Sequence, residues 1–304
     1  MSRNIAITLA FLLLFTSCRF FESDKTSDEF DIPDSLLIDD APLAVSADVV
    51  DDMVQNISST IETAAIIKSL KIPFNKDYLA ETRYSDQFNT NFRKALGLGI
   101  YGADLGYLNM YEKTSMVVDY ISTIKSLADG IQVGQFFDFS TLKRLATNNE
   151  NLDSLVFISQ QSFNRIDTYL RETNRSSLSS VIVAGVWIEG LYLSTRVAQD
   201  VYNEKINETI GEQKVIISTL LLLLNNYKAD PNIKALIADL EEIKVLYDQV
   251  KITIEVGETV PIEKDGVLTF QQNDVQTIHM SDELLKQIVA KVQNVRNRII
   301  KGAN

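Results

Sequence analysis

Two acidic residues are each followed, three positions later, by a tyrosine, and these pairs are the strongest candidates for a binding or catalytic site. Asp104 precedes Tyr107, and Glu189 precedes Tyr192. Residues at positions i and i+3 of a helix share one face, so each acid and its tyrosine can contact the same partner. A carboxylate with a hydroxyl beside it can bind a metal ion or a polar ligand, or transfer a proton. These four residues are our candidate ligand-binding site.

The stretches that hold the two acids look like copies of one another. Gly99–Leu108 aligns with Ala184–Leu193 when the numbering is shifted by 85, which places Asp104 on Glu189. Two helices related in this way can pair about a pseudo-twofold axis and bring both acids into one core. Two further polar side chains are expected close by, namely Asn109 and Arg196.

The same residues also fit a purely structural interpretation. Buried acids can be satisfied by tyrosine hydroxyls, by a helix amino terminus or by arginine side chains, without any ligand. A di-metal centre of the ferritin type needs a His three residues after a Glu, and neither acid has a His there. We therefore predict no resident metal, no cofactor and no catalytic residue. A noncatalytic role is favoured over an enzymatic one, and both interpretations of the acid pair stay open.

Glycine is unusually frequent beside the first acid. Gly97, Gly99, Gly102 and Gly106 fall within a predicted helix, where each glycine costs roughly 1 kcal/mol relative to alanine. Gly99, Gly102 and Gly106 recur at spacings of three and four, so we expect them to face a neighbouring helix whose backbone approaches closely. A phosphate-binding loop is excluded, because no strand precedes this segment and no Lys-Ser/Thr ending follows it.

Composition excludes several classes of protein. The chain has 304 residues, with 41 acidic against 29 basic side chains and a net charge of −12, so it repels nucleic-acid phosphates. A single Cys and a single His rule out an intrachain disulfide and a Cys/His zinc site. The one histidine, His279, is expected at the surface or at a helix cap.

The amino terminus has the layout of a bacterial lipoprotein precursor. Arg3 provides a basic start, and an apolar run over 5–15 leads through small residues to Cys18. The run is about half the roughly 20 residues that cross a bilayer, so a cleaved signal peptide over 1–17 fits better than a transmembrane helix. The segment ending at Cys18 resembles a lipobox, whose thiol receives the lipid; an ordinary signal peptide with an incidental Cys is the alternative. The acidic, proline-interrupted residues 18–45 are expected to form a flexible tether.

Beyond the tether, apolar residues recur at helical spacing. We predict a single all-α domain over 46–304, a multi-helix bundle with a small β-hairpin inserted before the last helix. Helices are predicted at 47–69, 86–110, 113–129, 139–148, 151–172, 177–202, 206–228 and 232–250, and from the cap Ser281 to about Ile300. The hairpin prediction depends on two β-type runs, 252–256 and 266–270, which flank Pro261 and an Asp-Gly turn signal.

Four features together resemble an uncharacterised, all-helical lipoprotein family of Bacteroidota. They are the lipobox at Cys18, the stretches Leu98–Leu105 and Trp187–Tyr192, and the last helix with Arg296 and Asn297. The resemblance implies a helical protein anchored by lipid to the outer membrane, on its periplasmic or cell-surface side, and it implies no activity. We expect a noncatalytic binding or scaffold module for an envelope protein. The alternative is a small-ligand receptor or enzyme with a pocket lined by carboxylates and tyrosines.

Overall fold

A computed structural model describes residue 67 and residues 71–147, 152–264 and 267–302. Cys18, the signal peptide, the tether and most of the predicted helix 47–69 lie outside these residues, so the predictions for them are not tested. All described residues belong to one compact unit.

Eight α-helices lie in the described part of the chain, and they confirm the all-α prediction. In chain order they are α1 (Asn91–Met110), α2 (Thr114–Gly130), α3 (Phe139–Thr147), α4 (Leu152–Glu172), α5 (Ser176–Asp200), α6 (Glu204–Asn225), α7 (Pro231–Tyr247) and α8 (Asp282–Lys301). Short 3-10 helices lie at Lys76–Tyr78, Thr82–Gln87 and Gly134–Phe136. The predicted helix ends agree with these bounds to within three residues, except at the start of α1.

Side-chain caps set where several helices begin. The side chain of Thr90 accepts a hydrogen bond from the backbone of the first turn of α1. The side chains of Asn203, Asp230 and Ser281 cap α6, α7 and α8 in the same way. Thr90 also explains the error at α1, which was predicted to begin at residue 86. The preceding residues, Thr82–Gln87, form a 3-10 helix, and α1 begins only after the Thr90 cap.

α1 and α5 form the most extensive helix pair in the described structure. They touch at Gly99 and Gly185, where a Cβ built on Gly185 would lie 3.2 Å from the Cα of Gly99 and would collide with a carbonyl oxygen of α1. About one turn further along both helices, Asp104 lies beside Glu189. The contacts advance in the same direction on both helices, so α1 and α5 run parallel here. This is the pairing that the shift of 85 requires, while the pseudo-twofold symmetry itself stays a prediction.

Only one of the three glycines predicted to face a neighbouring helix does so. Gly99 lies at the crossing, whereas Gly102 and Gly106 are exposed, with no atom within 4 Å of a Cβ built on either residue. The prediction was wrong for these two glycines, because they lie at exposed positions of α1 where no neighbouring backbone approaches.

α5 is the central helix of the bundle. It contacts α1, α4, α6 and α8. Among the described residues it is the one helix that is long and apolar enough to cross a membrane, and 89% of its most apolar window is buried inside the protein. Its apolar character is therefore accounted for by packing against the surrounding helices.

The insertion before α8 is larger than the predicted hairpin. It contains β1 (Lys251–Glu255), β2 (Thr259–Lys264), β3 (Val267–Gln272) and β4 (Val275–His279). β1 pairs antiparallel with β4, and β2 pairs antiparallel with β3. The two apolar runs found in the sequence lie in β1 and β3, which do not pair with each other. β2 was missed because Pro261 interrupts it, and β4 was missed because two polar residues separate Val275 from Ile278.

The base of this insertion packs on α6. Gly211 of α6 leaves room for Ile278 of β4, whose side chain would collide with a Cβ at position 211. Gln276 donates a hydrogen bond from Nε2 to Oε1 of Glu212, over 3.4 Å. The strands therefore leave the helical bundle from a fixed point on α6.

Candidate functional site

The two predicted acids come together in the core. Asp104 projects from α1 and Glu189 from α5, and both have 0% exposed surface. The two carboxyl groups lie close enough together that the negative charge of Glu189 raises the pKa of Asp104. The prediction that α1 and α5 bring them into one core is therefore correct.

Arg296 of α8 binds the carboxylate of Glu189 through two hydrogen bonds. Its Nε donates to Oε2 over 2.9 Å and its Nη2 donates to Oε1 over 2.6 Å. Arg296 is itself only 4% exposed. Burial acts to lower the pKa of Arg296, but the charge and hydrogen bonds of Glu189 outweigh burial and raise it. The two side chains form a buried ion pair.

Arg296 was not predicted as the partner of either acid. A signal was present in the sequence, because Arg296 follows Val292 by four residues and precedes Ile299 by three, which places a cation on the apolar stripe of α8. A basic residue on a buried stripe requires a buried anion to pair with.

Among the described residues, no cation forms an ion pair with Asp104. Its Oδ2 accepts a hydrogen bond of 2.9 Å from the backbone N–H of Ala80. Its Oδ1 is buried, and no donor hydrogen-bonds to it in the described structure. Burial, and then the negative charge of Glu189, raise the pKa of Asp104 well above its ordinary value.

A proton on the Asp104 carboxyl group would account for both the unpaired Oδ1 and the raised pKa. Arg296 donates to both oxygens of Glu189, and a carboxylate oxygen can accept a second hydrogen bond. A proton on Oδ1 of Asp104 can therefore be donated to Glu189, which satisfies the buried oxygen. The site then holds one neutral acid, one carboxylate and one guanidinium, and its net charge is zero.

The tyrosines around the acids bind the backbone and an arginine rather than the carboxylates. Tyr101 donates its hydroxyl to the carbonyl of Glu81 over 3.1 Å, and Tyr120 donates to that of Ala80 over 2.8 Å. Burial raises the pKa of both hydroxyls. The predicted Tyr192 lies under Arg296, whose guanidinium carbon is 4.2 Å from its ring centroid. The hydrogen bonds of Tyr101 and Tyr120 hold Glu81 and Ala80, the two residues before the second 3-10 helix, against the acid pair.

The predicted Tyr107 belongs to a neighbouring aromatic cluster. Its hydroxyl accepts a hydrogen bond of 3.2 Å from the backbone N–H of Asn75, and its ring packs 4.9 Å from that of Tyr111. In the same cluster Tyr78 donates its hydroxyl to Asp200. Burial and this hydrogen bond raise the pKa of Tyr78 to about 12.

The two polar residues expected beside the acids do not hydrogen-bond to them. The guanidinium of Arg196 lies over the ring of Tyr78, 5.2 Å from its centroid, and Nη1 donates to Gln199 over 3.2 Å. Oδ1 of Asn109 is buried, and no donor reaches it in the described ranges. Neither residue contributes to the charge balance of the Asp104–Glu189–Arg296 group, which we call the core triad.

The core triad places an ion pair and a second acid in the protein interior. Its acidic carboxyls have no exposed surface, and a backbone amide and an arginine bind them. No three His, Cys, Asp or Glu side chains within the described residues are close enough together to hold a metal ion. His279 is exposed on β4, with Nε2 at 2.9 Å from Oγ1 of Thr253, as its predicted surface position requires.

Comparison with known proteins finds no relative. No protein-family profile, curated protein or solved structure matches the chain. The resemblance to helical lipoproteins of Bacteroidota therefore stays a prediction from sequence motifs. Any functional proposal depends on the core triad and on the exposed surface.

Proposed function

We propose that the chain is a noncatalytic binding or scaffold module of the bacterial cell envelope. One observation carries the proposal: the two acids of the candidate site are fully buried and are bound by groups of the protein itself. A catalytic or receptor site needs groups that reach a substrate. Because Asp104 and Glu189 are engaged in internal pairing, the protein acts through its outer surface.

The proposed anchor is a lipid on Cys18. The lipobox-like segment before this residue and the acidic stretch after it support that assignment. One acyl chain anchors a protein only marginally, whereas the two or three chains of a bacterial lipoprotein hold it stably. The helical domain would then lie at the end of a tether on the periplasmic or cell-surface side of the outer membrane, free to meet an envelope protein. The resemblance to Bacteroidota lipoproteins belongs to the same proposal.

The alternative is a small-ligand receptor or enzyme with a pocket between the two glycine-containing helices. It requires a path from solvent to Asp104 or Glu189, and both are 0% exposed. Tyr107 and Tyr192 are 5% and 6% exposed, so they offer little surface to a ligand. Burial of all four predicted residues favours the scaffold.

Purification of the native protein from gently solubilised membranes tests the proposal. We expect the amino-terminal peptide to begin at Cys18 with a lipid mass attached, and we expect the protein to elute with an envelope protein in fixed stoichiometry. The same complex should form with Asp104→Asn, because the core triad has no part in binding. A monomer that carries a small molecule, and loses it on Asp104→Asn, would instead establish the receptor. An unmodified Cys18 would refute the anchor.

A further inference from the structure

The β-ribbon formed by β1 to β4 leaves hydrogen-bonding edges open. In the described structure each strand pairs with one neighbour only, so one edge of every strand is free. β4 contacts α6, whereas β1 makes no comparably extensive contact with any helix. β2 contains Pro261, which lacks the N–H that a further strand would need. The unpaired edge of β1 can therefore accept another strand.

Apolar side chains are exposed where β1 and β4 leave the bundle. Ile254 is 61% exposed, Val256 is 80% exposed and Val275 is 57% exposed. Ile252 and Ile254 lie on the same face of β1, because side chains alternate along a strand. Ile252 faces Ile278, which packs on α6, and Ile254 lies beyond Ile252 on that face with most of its surface exposed. Val275 faces Glu255, so it is exposed on the opposite face of the ribbon. An isolated two-stranded ribbon is marginally stable, and a third strand would stabilise it.

The charge of this surface defines the chemistry of what can cover it. Glu255, Glu258 and Asp274 are exposed beside the three apolar residues. Between Ile252 and Ile278 the sequence contains five acidic side chains and one basic side chain. An extended segment that carries both apolar and basic side chains complements this surface.

We propose that the free edge of β1 binds an extended, basic and apolar segment of a partner protein by strand addition. The backbone of the partner pairs with β1, its apolar side chains cover Ile254 and Val256, and its basic side chains meet Glu255 and Glu258. The inference rests on the proposed binding function and names the partner chemistry. A second copy of this chain would bring acidic ribbons together, and an anionic lipid surface would meet the same repulsion.

Three matched peptides of about ten residues, added to the full chain, test this proposal. In the first, Val and Lys alternate; in the second, Val and Glu alternate; the third has the first sequence with alternate backbone amides N-methylated. Binding is measured by fluorescence anisotropy of labelled peptide, and the location of binding by amide hydrogen exchange. We expect the Val-Lys peptide to bind about tenfold more tightly than either control and to slow exchange over β1.

Protein variants locate the surface. Ile254→Lys should weaken binding of the Val-Lys peptide about tenfold, because it places a cation against the basic peptide and removes apolar area. Val245→Lys is the matched control: Val245 on α7 is also 61% exposed, and the same substitution there should leave the affinity within about twofold. Far-ultraviolet circular dichroism checks that both variants are folded.

Equal binding of all three peptides, binding that Val245→Lys weakens as much as Ile254→Lys does, or no binding would overturn strand addition at β1. Exchange slowed on the helices instead of β1 would do the same. If an envelope complex forms undiminished with Ile254→Lys, strand addition at β1 is refuted, but the proposed scaffold function is not. Failure of the scaffold proposal appears separately, as the absence of any complex with the native protein.

Discussion

Replacement of Asp104 by asparagine should stabilise the protein at neutral pH. Substitution of a buried polar residue is usually costly. Asp104 differs because burial beside Glu189 raises its pKa. Between the pKa values of the unfolded and the folded chain, folding therefore requires uptake of a proton at Asp104. Asparagine has nearly the same shape, stays neutral in both states and can donate from its amide to Glu189. The variant therefore removes a proton uptake that opposes folding above the pKa of the unfolded acid.

The magnitude follows from linkage. An unfolded Asp has a pKa of about 3.9, so pH 7 lies roughly three units above it, and each unit is worth about 1.4 kcal/mol. The upper limit of the gain at pH 7 is thus about 4 kcal/mol, reached when the folded pKa exceeds 7. We expect a gain below this limit, because an amide is a weaker donor to a carboxylate than a carboxylic acid is.

The sign of the pH dependence is a second part of the same test. A raised folded pKa contributes stability that is complete below about pH 4 and is lost as the pH rises toward that folded pKa. The difference in unfolding free energy between Asp104→Asn and the unaltered protein should therefore be small near pH 4. Above pH 4 the difference should widen by up to about 1.4 kcal/mol per pH unit.

Urea unfolding at several pH values between 4 and 8 measures this difference. Trp187 is the single tryptophan, is 1% exposed and donates from Nε1 to Gln213 over 2.9 Å, so its fluorescence reports the core. Asp129→Asn is the control, because Asp129 is half-exposed and pairs with Lys125 at the surface. That control should shift stability by less than about 1 kcal/mol with no widening above pH 5. A loss of stability in Asp104→Asn at pH 7, or a difference independent of pH, would refute the shared proton.

Three further substitutions separate the contributions of charge and of backbone packing. Glu189→Gln should cost about 3 to 5 kcal/mol in urea unfolding, because it leaves the Arg296 guanidinium buried without its two charged hydrogen bonds; a loss under 1 kcal/mol would show that Arg296 reaches solvent. Gly99→Ala should destabilise by more than about 2 kcal/mol, because its Cβ would collide with the carbonyl oxygen of Ile182. Gly102→Ala, in the same helix with open space around its Cβ, should stabilise by about 0.5 to 1 kcal/mol in the same assay; equal effects of the two alanines would contradict the crossing at Gly99.

The helices and the acid pair could be predicted because their signals lie within short stretches of chain. Apolar residues at helical spacing mark each buried stripe, and Ser281 and Pro231 mark where helices begin. The shift that aligns Asp104 with Glu189 works because parallel helices in contact keep a constant offset along the chain. Even the error at α1 is local, since the cap at Thr90 is visible in the sequence.

The partners of the acids could not be predicted in this way. Arg296 is 107 residues from Glu189 along the chain, and the amide that binds Asp104 belongs to Ala80, in a segment with no helical pattern. The open surroundings of Gly102 and Gly106 depend on which elements pack around α1 in the folded protein. The apolar stripe around Arg296 marks this residue as a buried cation, but the sequence does not say which acid it pairs with.

Sequence patterns alone therefore established the all-helical class, most helix bounds and the meeting of the two acids, because periodicity, capping and helix offset are properties of neighbouring residues. The folded arrangement decided which acid pairs with an arginine, which arginine that is and which strand edge stays open. Desolvation, charge pairing and strand pairing depend on groups that are distant along the chain and adjacent only in the folded protein.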